Sequence, residues 1–164
     1  MFLYLITANQ TLRMTSKMPS VIVDTSCLIV LDNIGLLDIL NNIYGEIIIT
    51  PEVFMEFGKP LPSWIKSSEF NNKESFRVIS AIVDEAEASV IQLCIESEDS
   101  LLILDDLKAR KLASSMNLKV TGTIAVLLKA KKIGLIDDMA KVINDLSNSG
   151  FRISKDFEDL LLAE

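Results

Sequence analysis

Carboxylates follow two apolar runs of this sequence, at the point where each run ends. Asp24 follows the β-branched run 21–23, and Asp105 and Asp106 follow the run 101–104. Short apolar runs of this kind are typical of strands that are buried on both faces of a parallel sheet. The carboxyl ends of such strands form the edge at which open α/β sheets bind ligands. The two runs therefore predict that these acids share one site at a sheet edge.

Two glutamates are further candidates, and each candidate acid also has a structural interpretation. Asp24 is a good N-cap for the helix that follows it. Glu56 lies in a short helix predicted to begin at Pro51, either on its exposed side or facing the site. Glu87 follows Asp84 at the spacing of a capping box, while its place in the first helical turn directs it toward the end of a neighbouring strand. The residues alone leave these alternatives open.

The complete absence of histidine limits the chemistry. It excludes Ser-His-Asp and Cys-His catalysis as well as His-rich zinc sites. Several carboxylates at one edge repel each other and stay ionised together only when cations are present. Hard oxygen ligands favour Mg²⁺ or Mn²⁺. Two such ions can hold the attacking and leaving oxygens of a phosphodiester while one of them activates water, a mechanism that needs no imidazole.

Charge and composition set weaker limits. The formal net charge of −7 has the wrong sign for attracting phosphates, but it fits acids gathered in a metal site and equally fits an ordinary acidic protein. Lys108 and Arg110, at the start of the helix after Asp105, are candidate substrate-binding residues, although charges on a helix more often form a solvated face. Cys27 and Cys94 lie in apolar segments and are predicted to be buried. No apolar run approaches the ~20 residues of a membrane span. We therefore expect a cytoplasmic protein with no membrane partner.

Strands alternate with helices along the chain. The predicted strands are 20–23, 46–50, 101–104, 118–121 and 151–153, with helices between most of them. This alternation predicts an α/β fold, a three-layer α/β/α sandwich around a central, mostly parallel sheet of about five strands. The Gly-, Pro-, Ser- and Asn-rich segment 58–72 is predicted to be a loop, and 76–81 a short extended piece. We expect residues 1–19 to be an N-terminal extension and residues 20–164 to be one domain.

Two other families that carry Asp at strand ends fit poorly. Haloacid-dehalogenase-type phosphatases require a second Asp two residues after the first, and Ser26 stands there. Response-regulator receivers require an acidic pair after the first strand and a Lys after the fifth, and neither is in place. Both alternatives are therefore disfavoured.

Six segments of the chain instead match the motifs of one family in their order. They include V-I-V-D-T-S-C-L-I and L-L-I-L-D-D-L-K-A-R-K-L-A, and they lie at 21–29, 47–56, 84–91, 101–113, 120–131 and 150–154. In these segments the sequence resembles PIN-domain proteins, the fold of VapC-type toxin nucleases. It is most similar to the prokaryotic branch known as predicted nucleic-acid-binding PIN-like proteins.

The resemblance implies a role for each acid. The matching metal-binding and catalytic residues are Asp24, Glu56, Glu87 and Asp105, with Asp106 as a further ligand where this branch usually has Glu. The hydroxyls implied to orient ligands, water or phosphate are those of Thr25, Ser26 and Thr123. Ala86 replaces a usual Gly, and Gly122 would allow close backbone approach.

The resemblance also implies an activity. The expected protein is a Mg²⁺- or Mn²⁺-dependent endoribonuclease and the toxin of a toxin–antitoxin pair. Its expected partners are an RNA substrate, an antitoxin protein that covers the acidic groove, and a second copy of the chain in a homodimer. A non-catalytic PIN-like module that binds RNA or protein is the main alternative, and a nuclease for structured DNA is a third.

Overall fold

A five-stranded sheet, in which every strand is parallel to its neighbours, forms the centre of the computed structural model, which describes residues 19–163. The strand order in this part of the chain is β3-β2-β1-β4-β5. The strands are β1 (Ser20–Val23), β2 (Ile47–Ile49), β3 (Ile65–Ser67), β4 (Ser100–Ile103) and β5 (Lys119–Thr121). Apart from Pro19, the predicted N-terminal extension lies outside the described residues.

β1 is the middle strand of the sheet, and its apolar residues account for that position. Val21, Ile22 and Val23 are all buried, as a strand covered on both faces requires. In register with β1, β4 pairs Val23 with Ile103, and the backbone N–H of Asp24 donates to the Ile103 carbonyl at 3.0 Å. The chain adds β2 and β3 on one side of β1 and then β4 and β5 on the other. The edge where β1 and β4 end is therefore the topological switch point, the usual ligand site of open α/β sheets.

Nine helices lie between or after the strands within residues 19–163. They are α1 (Thr25–Asn33), α2 (Asp38–Tyr44), α3 (Pro51–Phe57), α4 (Lys73–Ser80), α5 (Glu85–Glu96), α6 (Leu107–Ser115), α7 (Thr123–Lys132), α8 (Met139–Asn148) and α9 (Lys155–Leu162). One group includes α4, α5 and α6, with α5 against β1 and β4, and another includes α2 against β2 and α7. Right-handed crossovers in both directions from β1 put helices on both faces. The predicted three-layer sandwich is confirmed.

None of these helices alone is long and apolar enough to cross a membrane. The pair α1 and α2 satisfies that test jointly, by length and composition only, and is bent by 117°.

Two local predictions are wrong, and both concern the sheet. The segment 151–153 was predicted to be the last of five strands, but it forms no strand within the described chain. The sheet instead gains its additional strand from β3, which lies inside the segment 58–72 predicted to be a loop. In β3 only Ile65 is buried while Lys66 and Ser67 are exposed, because β3 is an edge strand. A strand with one buried residue gives almost no apolar pattern to detect.

The segment predicted as a short extended piece at 76–81 is helical instead, and it forms most of α4. Asn72 caps this helix by accepting from the backbone N–H of Ser75 at 2.9 Å. Phe76 and Ile79, three residues apart, lie on one helical face and pack against the core. The adjacent β-branched pair in this segment suggested a strand, but the cap and the spacing favour a helix.

Candidate functional site

Asp24 lies directly after β1 and is almost completely buried, with 2% of its surface exposed. It is the N-cap of α1, since its Oδ2 accepts from the backbone N–H of Ser26 at 3.4 Å. Its Oδ1 is buried and has no hydrogen-bond partner among the described residues. Burial raises the pKa of Asp24 from 3.8 to about 6, and the nearby carboxylates of Asp84 and Glu56 add to this shift. Asp24 is therefore both a helix cap and an acid with one unsatisfied oxygen.

Glu56 reaches the same edge from α3. The Oγ1 of buried Thr25 donates to its Oε2 at 2.7 Å, although the Glu56 side chain is otherwise exposed. α3 begins at Pro51 after an N-cap by Thr50, and the hydroxyl of Thr50 lies 2.6 Å from that of Ser89 in α5. These contacts fix α3 against α5 and hold Glu56 beside the residue that follows Asp24.

Glu87 comes to the edge from the first turn of α5. The predicted capping box is present: the N–H of Glu87 donates to Asp84 Oδ1 at 2.9 Å, and the N–H of Asp84 donates to Glu87 Oε2 at 3.3 Å. Burial raises the pKa of Glu87 from 4.5 to about 7, and the carboxylates of Asp84, Asp106 and Asp24 raise it further. Glu87 therefore takes part in the capping box of α5 and also interacts electrostatically with the other acids of the site.

Asp105 follows β4 and is held differently from Asp24. Its Oδ1 accepts from the backbone N–H of Thr123 at 2.8 Å, and its Oδ2 accepts from the Thr123 hydroxyl at 2.5 Å. Thr123 is fully buried at the start of α7, after β5. A Cβ at Gly122 would lie 2.8 Å from Asp105 Oδ1, so the glycine leaves the space that this carboxylate occupies.

The remaining predicted residues lie around these acids in different settings. Asp106 is exposed and caps α6 by accepting from the N–H of Ala109 at 2.9 Å. Ser26 and Lys108 have exposed side chains. Arg110 is half-buried, and its Nη1 donates to the carbonyl of Leu104 at 3.1 Å. The guanidinium of Arg110 is thus held at the end of β4 rather than extended into solvent.

The structure brings the predicted acids to one edge of the sheet. Asp24 lies within electrostatic reach of Glu56 and Glu87, and Glu87 also lies within reach of Asp106. Asp105 is linked to these acids through Cys27, whose thiol is fully buried. The pKa of Cys27 is raised far above its usual value by burial, then by Asp105 and also by Asp24. Asp24 and Asp105 therefore both lie near Cys27, at the ends of the paired strands β1 and β4.

Whether these residues fit a divalent cation can be judged from the donors themselves. No three His, Cys, Asp or Glu side chains among residues 19–163 stand in an arrangement that could hold a metal ion. In this structure Glu56, Glu87 and Asp105 are each occupied by hydrogen bonds within the protein. The donor set nevertheless fits a hard cation, because it consists of carboxylates, and Asp24 offers a buried oxygen with no partner in the described chain.

One residue of the cluster was not predicted to belong to the site. Asp84 raises the pKa values of both Asp24 and Glu87, and it lines a groove of about 470 Å³ together with Glu52, Glu56 and Glu85. Its capping-box spacing was visible in the sequence and explained it fully as a cap. The proximity of the α5 start to β1 is what adds Asp84 to the acids, and that is a property of the fold.

Comparison with known proteins gives one match. The sequence model of a family described as a PIN domain matches residues 20–164. Neither a curated protein nor a solved structure matches the chain.

Proposed function

The chain belongs to the PIN-domain family, and from this premise we propose that it is a metal-dependent endoribonuclease, the toxin of a VapC-like toxin–antitoxin pair. PIN domains are usually nucleases and generally use divalent metals. The observation that carries the proposal is the acid cluster at the switch point of the sheet. Its strongest element is Asp24, whose buried Oδ1 has no partner in the described chain although its carboxyl group lies among other acids. Buried polar atoms are rarely left unsatisfied, and an ion bound at the site is one explanation for this oxygen, which unlike the buried unpaired oxygens of Glu52 and Gln92 lies at the switch point of the sheet.

The proposed ion-binding residues are the family-matched acids, and the ion is Mg²⁺ or Mn²⁺. They are Asp24, Glu56, Glu87, Asp105 and Asp106. When bound, the ion activates water and offsets the negative charge that develops on the phosphate. Residues of the chain orient the proposed metal ligands. Thr123 fixes Asp105 through two hydrogen bonds, and Thr25 fixes Glu56 through one. Ser26 follows at the exposed side of the same edge.

The proposed partners follow from charge and family. Lys108, exposed on the first turn of α6, is proposed to contact the phosphates of the RNA, because the acids beside it repel a polyanion. The sequence suggested the same role for Arg110, but its guanidinium is held at the end of β4 by the carbonyl of Leu104. We further propose that an antitoxin protein covers the acidic groove and that two copies of the chain form a homodimer. A mixture of the chain with RNA and Mn²⁺ tests the activity without the antitoxin.

The test compares RNA cleavage in Mn²⁺ by the wild-type protein and by two single variants. Asp24→Asn and Asp105→Asn each keep the side-chain shape but remove one anionic ligand. We expect each to lose more activity than the about 10- to 100-fold that follows loss of an outer hydrogen-bond partner of a metal ligand. Asp137→Asn, at an exposed acid of the same type, is the matched control. Undiminished cleavage by both site variants would remove the proposed mechanism.

A second candidate is a non-catalytic PIN-like module that binds RNA or protein through the same groove. The observation that favours it is the absence of three converging metal-ligand side chains in the described residues. Calorimetric titration with Mn²⁺ separates the two candidates. The nuclease should bind the ion in the wild type and lose that binding in Asp24→Asn, whereas a module without catalysis has no need of the ion.

A further inference from the structure

Arg110 brings a positive charge into the acid cluster. It is half-buried, and its Nη1 donates to the carbonyl of Leu104, the residue directly before Asp105. A Cβ placed on Gly122 would lie 2.5 Å from Arg110 Nη1 and 2.8 Å from Asp105 Oδ1. The guanidinium and the carboxylate therefore both pack against the same Cα atom.

The small size of Gly122, and not its backbone conformation, makes room for this contact. Its φ of −136° and ψ of 173° are extended values that any residue adopts. No left-handed conformation requires a glycine here. What a larger residue would disturb is the space shared by Arg110 and Asp105, since both contacts would be closer than normal packing allows.

The ion pairs of the described side chains are formed by four lysines, Lys59, Lys119, Lys141 and Lys155, and Arg110 is not among them. Every ion pair formed by the described side chains involves acids outside the cluster, namely Asp32, Asp99, Asp145, Glu158 and Asp159. Without an ion, the carboxylates at the edge repel each other, and a nearby guanidinium reduces that repulsion. Arg110 is held where it can do so by a hydrogen bond that its fixed, planar donor group makes to the backbone.

We propose that Arg110 is a positioning residue, the internal counter-cation of the acid cluster, which offsets the charge of Asp105 and its neighbours while no divalent ion is bound. This inference rests on the proposed metal site. A counter-cation competes with the divalent ion for the same negative charge. A residue that only binds substrate does not, so the two roles differ. Removing the guanidinium charge should therefore destabilise the ion-free protein and strengthen ion binding.

The opposite signs of these two effects provide the test. Arg110→Met removes the charge and keeps most of the bulk, Arg110→Lys keeps the charge, and Lys111→Met removes an exposed charge from the same helix as the control. In calorimetric titration, R110M should bind Mn²⁺ about three- to tenfold more tightly than the wild type. In EDTA, its Tm should fall by about 2–4 °C. R110K and K111M should stay near the wild type in both measurements.

A double-mutant cycle in EDTA tests the proposal without any metal. If Arg110 acts on the charge of Asp105, the Tm loss of R110M should largely disappear in the Asp105→Asn background. Arg110→Gln is the second uncharged variant if R110M does not fold. Additive effects of the two substitutions, or weaker Mn²⁺ binding by the uncharged variants, would overturn the inference. A wild-type protein that binds no Mn²⁺ would sink the proposed function, and the cycle would still decide the role of Arg110.

Discussion

The ends of the two central strands carry the same residue in contrasting surroundings. Asp24, after β1, is nearly inaccessible and keeps one oxygen without a partner in the described chain, and its pKa is raised by burial and neighbouring acids. Asp105, after β4, is half-buried, and both of its oxygens receive hydrogen bonds from Thr123. Asp105 also shares its packing against Gly122 with the guanidinium of Arg110.

The contrast teaches that two acids at one edge can be held for different purposes. The fold already supports the negative charge of Asp105, so that side chain is oriented before any ligand arrives. The fold opposes the negative charge of Asp24, so that this carboxylate gains most from a cation. In the metal site proposed above, Asp105 would be the ligand oriented in advance and Asp24 the ligand whose charge the ion offsets.

The largest expected effect is on stability, and it has opposite signs at the two strand ends. In EDTA at pH 8, Asp24→Asn should raise the free energy of unfolding by about 1–3 kcal/mol, because a buried carboxyl with a pKa raised from 3.8 to about 6 costs up to that much to ionise. Asp105→Asn should lower it by about 1–3 kcal/mol through weaker hydrogen bonds from Thr123. Urea unfolding of both variants and of the exposed control Asp137→Asn measures this. Equal signs would erase the contrast.

A smaller effect should appear in the pH dependence of the metal-free protein. The folded-state pKa of Glu87, about 7, lies above its ordinary value of 4.5, so the folded state binds the proton more tightly. Its contribution to stability is then fully present below pH 4.5 and is lost as the pH rises to about 7. Glu87→Gln keeps an acceptor for the capping box and should remove this loss.

The measurement is urea unfolding of the wild type and Glu87→Gln at intervals from pH 3 to pH 8. The stability advantage of the variant should grow between about pH 4.5 and pH 7 and then level off. Glu96 supplies the internal comparison, because hydrogen bonds from Asn72, Asn71 and Gln92 lower its pKa to about 2. Its contribution is lost only as the pH falls below 4.5, so it changes with pH in the opposite direction. A pH-independent difference for Glu87→Gln would contradict the prediction.

The smallest expected effect separates the two threonines that hold the acids. Thr123→Val should lower the free energy of unfolding by about 1–2 kcal/mol, because it leaves a charged acceptor without its hydroxyl donor in a fully buried position. Thr25→Val should cost less, about 0.5–1 kcal/mol, since Glu56 is exposed and can turn to water. Thermal unfolding of the pair in EDTA checks the order, and a larger loss for Thr25→Val would reverse the interpretation.

Much of the candidate site could be predicted from the sequence because strand ends are local features. An acid directly after an apolar run, as at Asp24 and Asp105, has its position set by the strand alone. Glu87 could be placed in a first helical turn by its capping spacing. The parallel pairing of the strands then brings these acids close to one another.

The parts that could not be predicted depend on contacts between distant elements. β3 contributes only Ile65 to the core, so no apolar pattern distinguishes it from a loop. Phe54 is apolar, yet it lies 46% exposed on α3, while Val53 and Phe57 of the same helix are buried. The contact of Arg110 with Leu104 and Gly122 joins α6, the end of β4 and the end of β5, and no spacing along one element indicates it.

The place of β1 in the middle of the sheet has a consequence for the order of synthesis. A growing chain that has left the ribosome only as far as α5 contains Asp24, Glu56 and Glu87, but it lacks β4, the partner on one side of β1. Asp105 and the threonine that fixes it follow later still. The acid cluster therefore cannot be complete until synthesis has reached the second half of the chain.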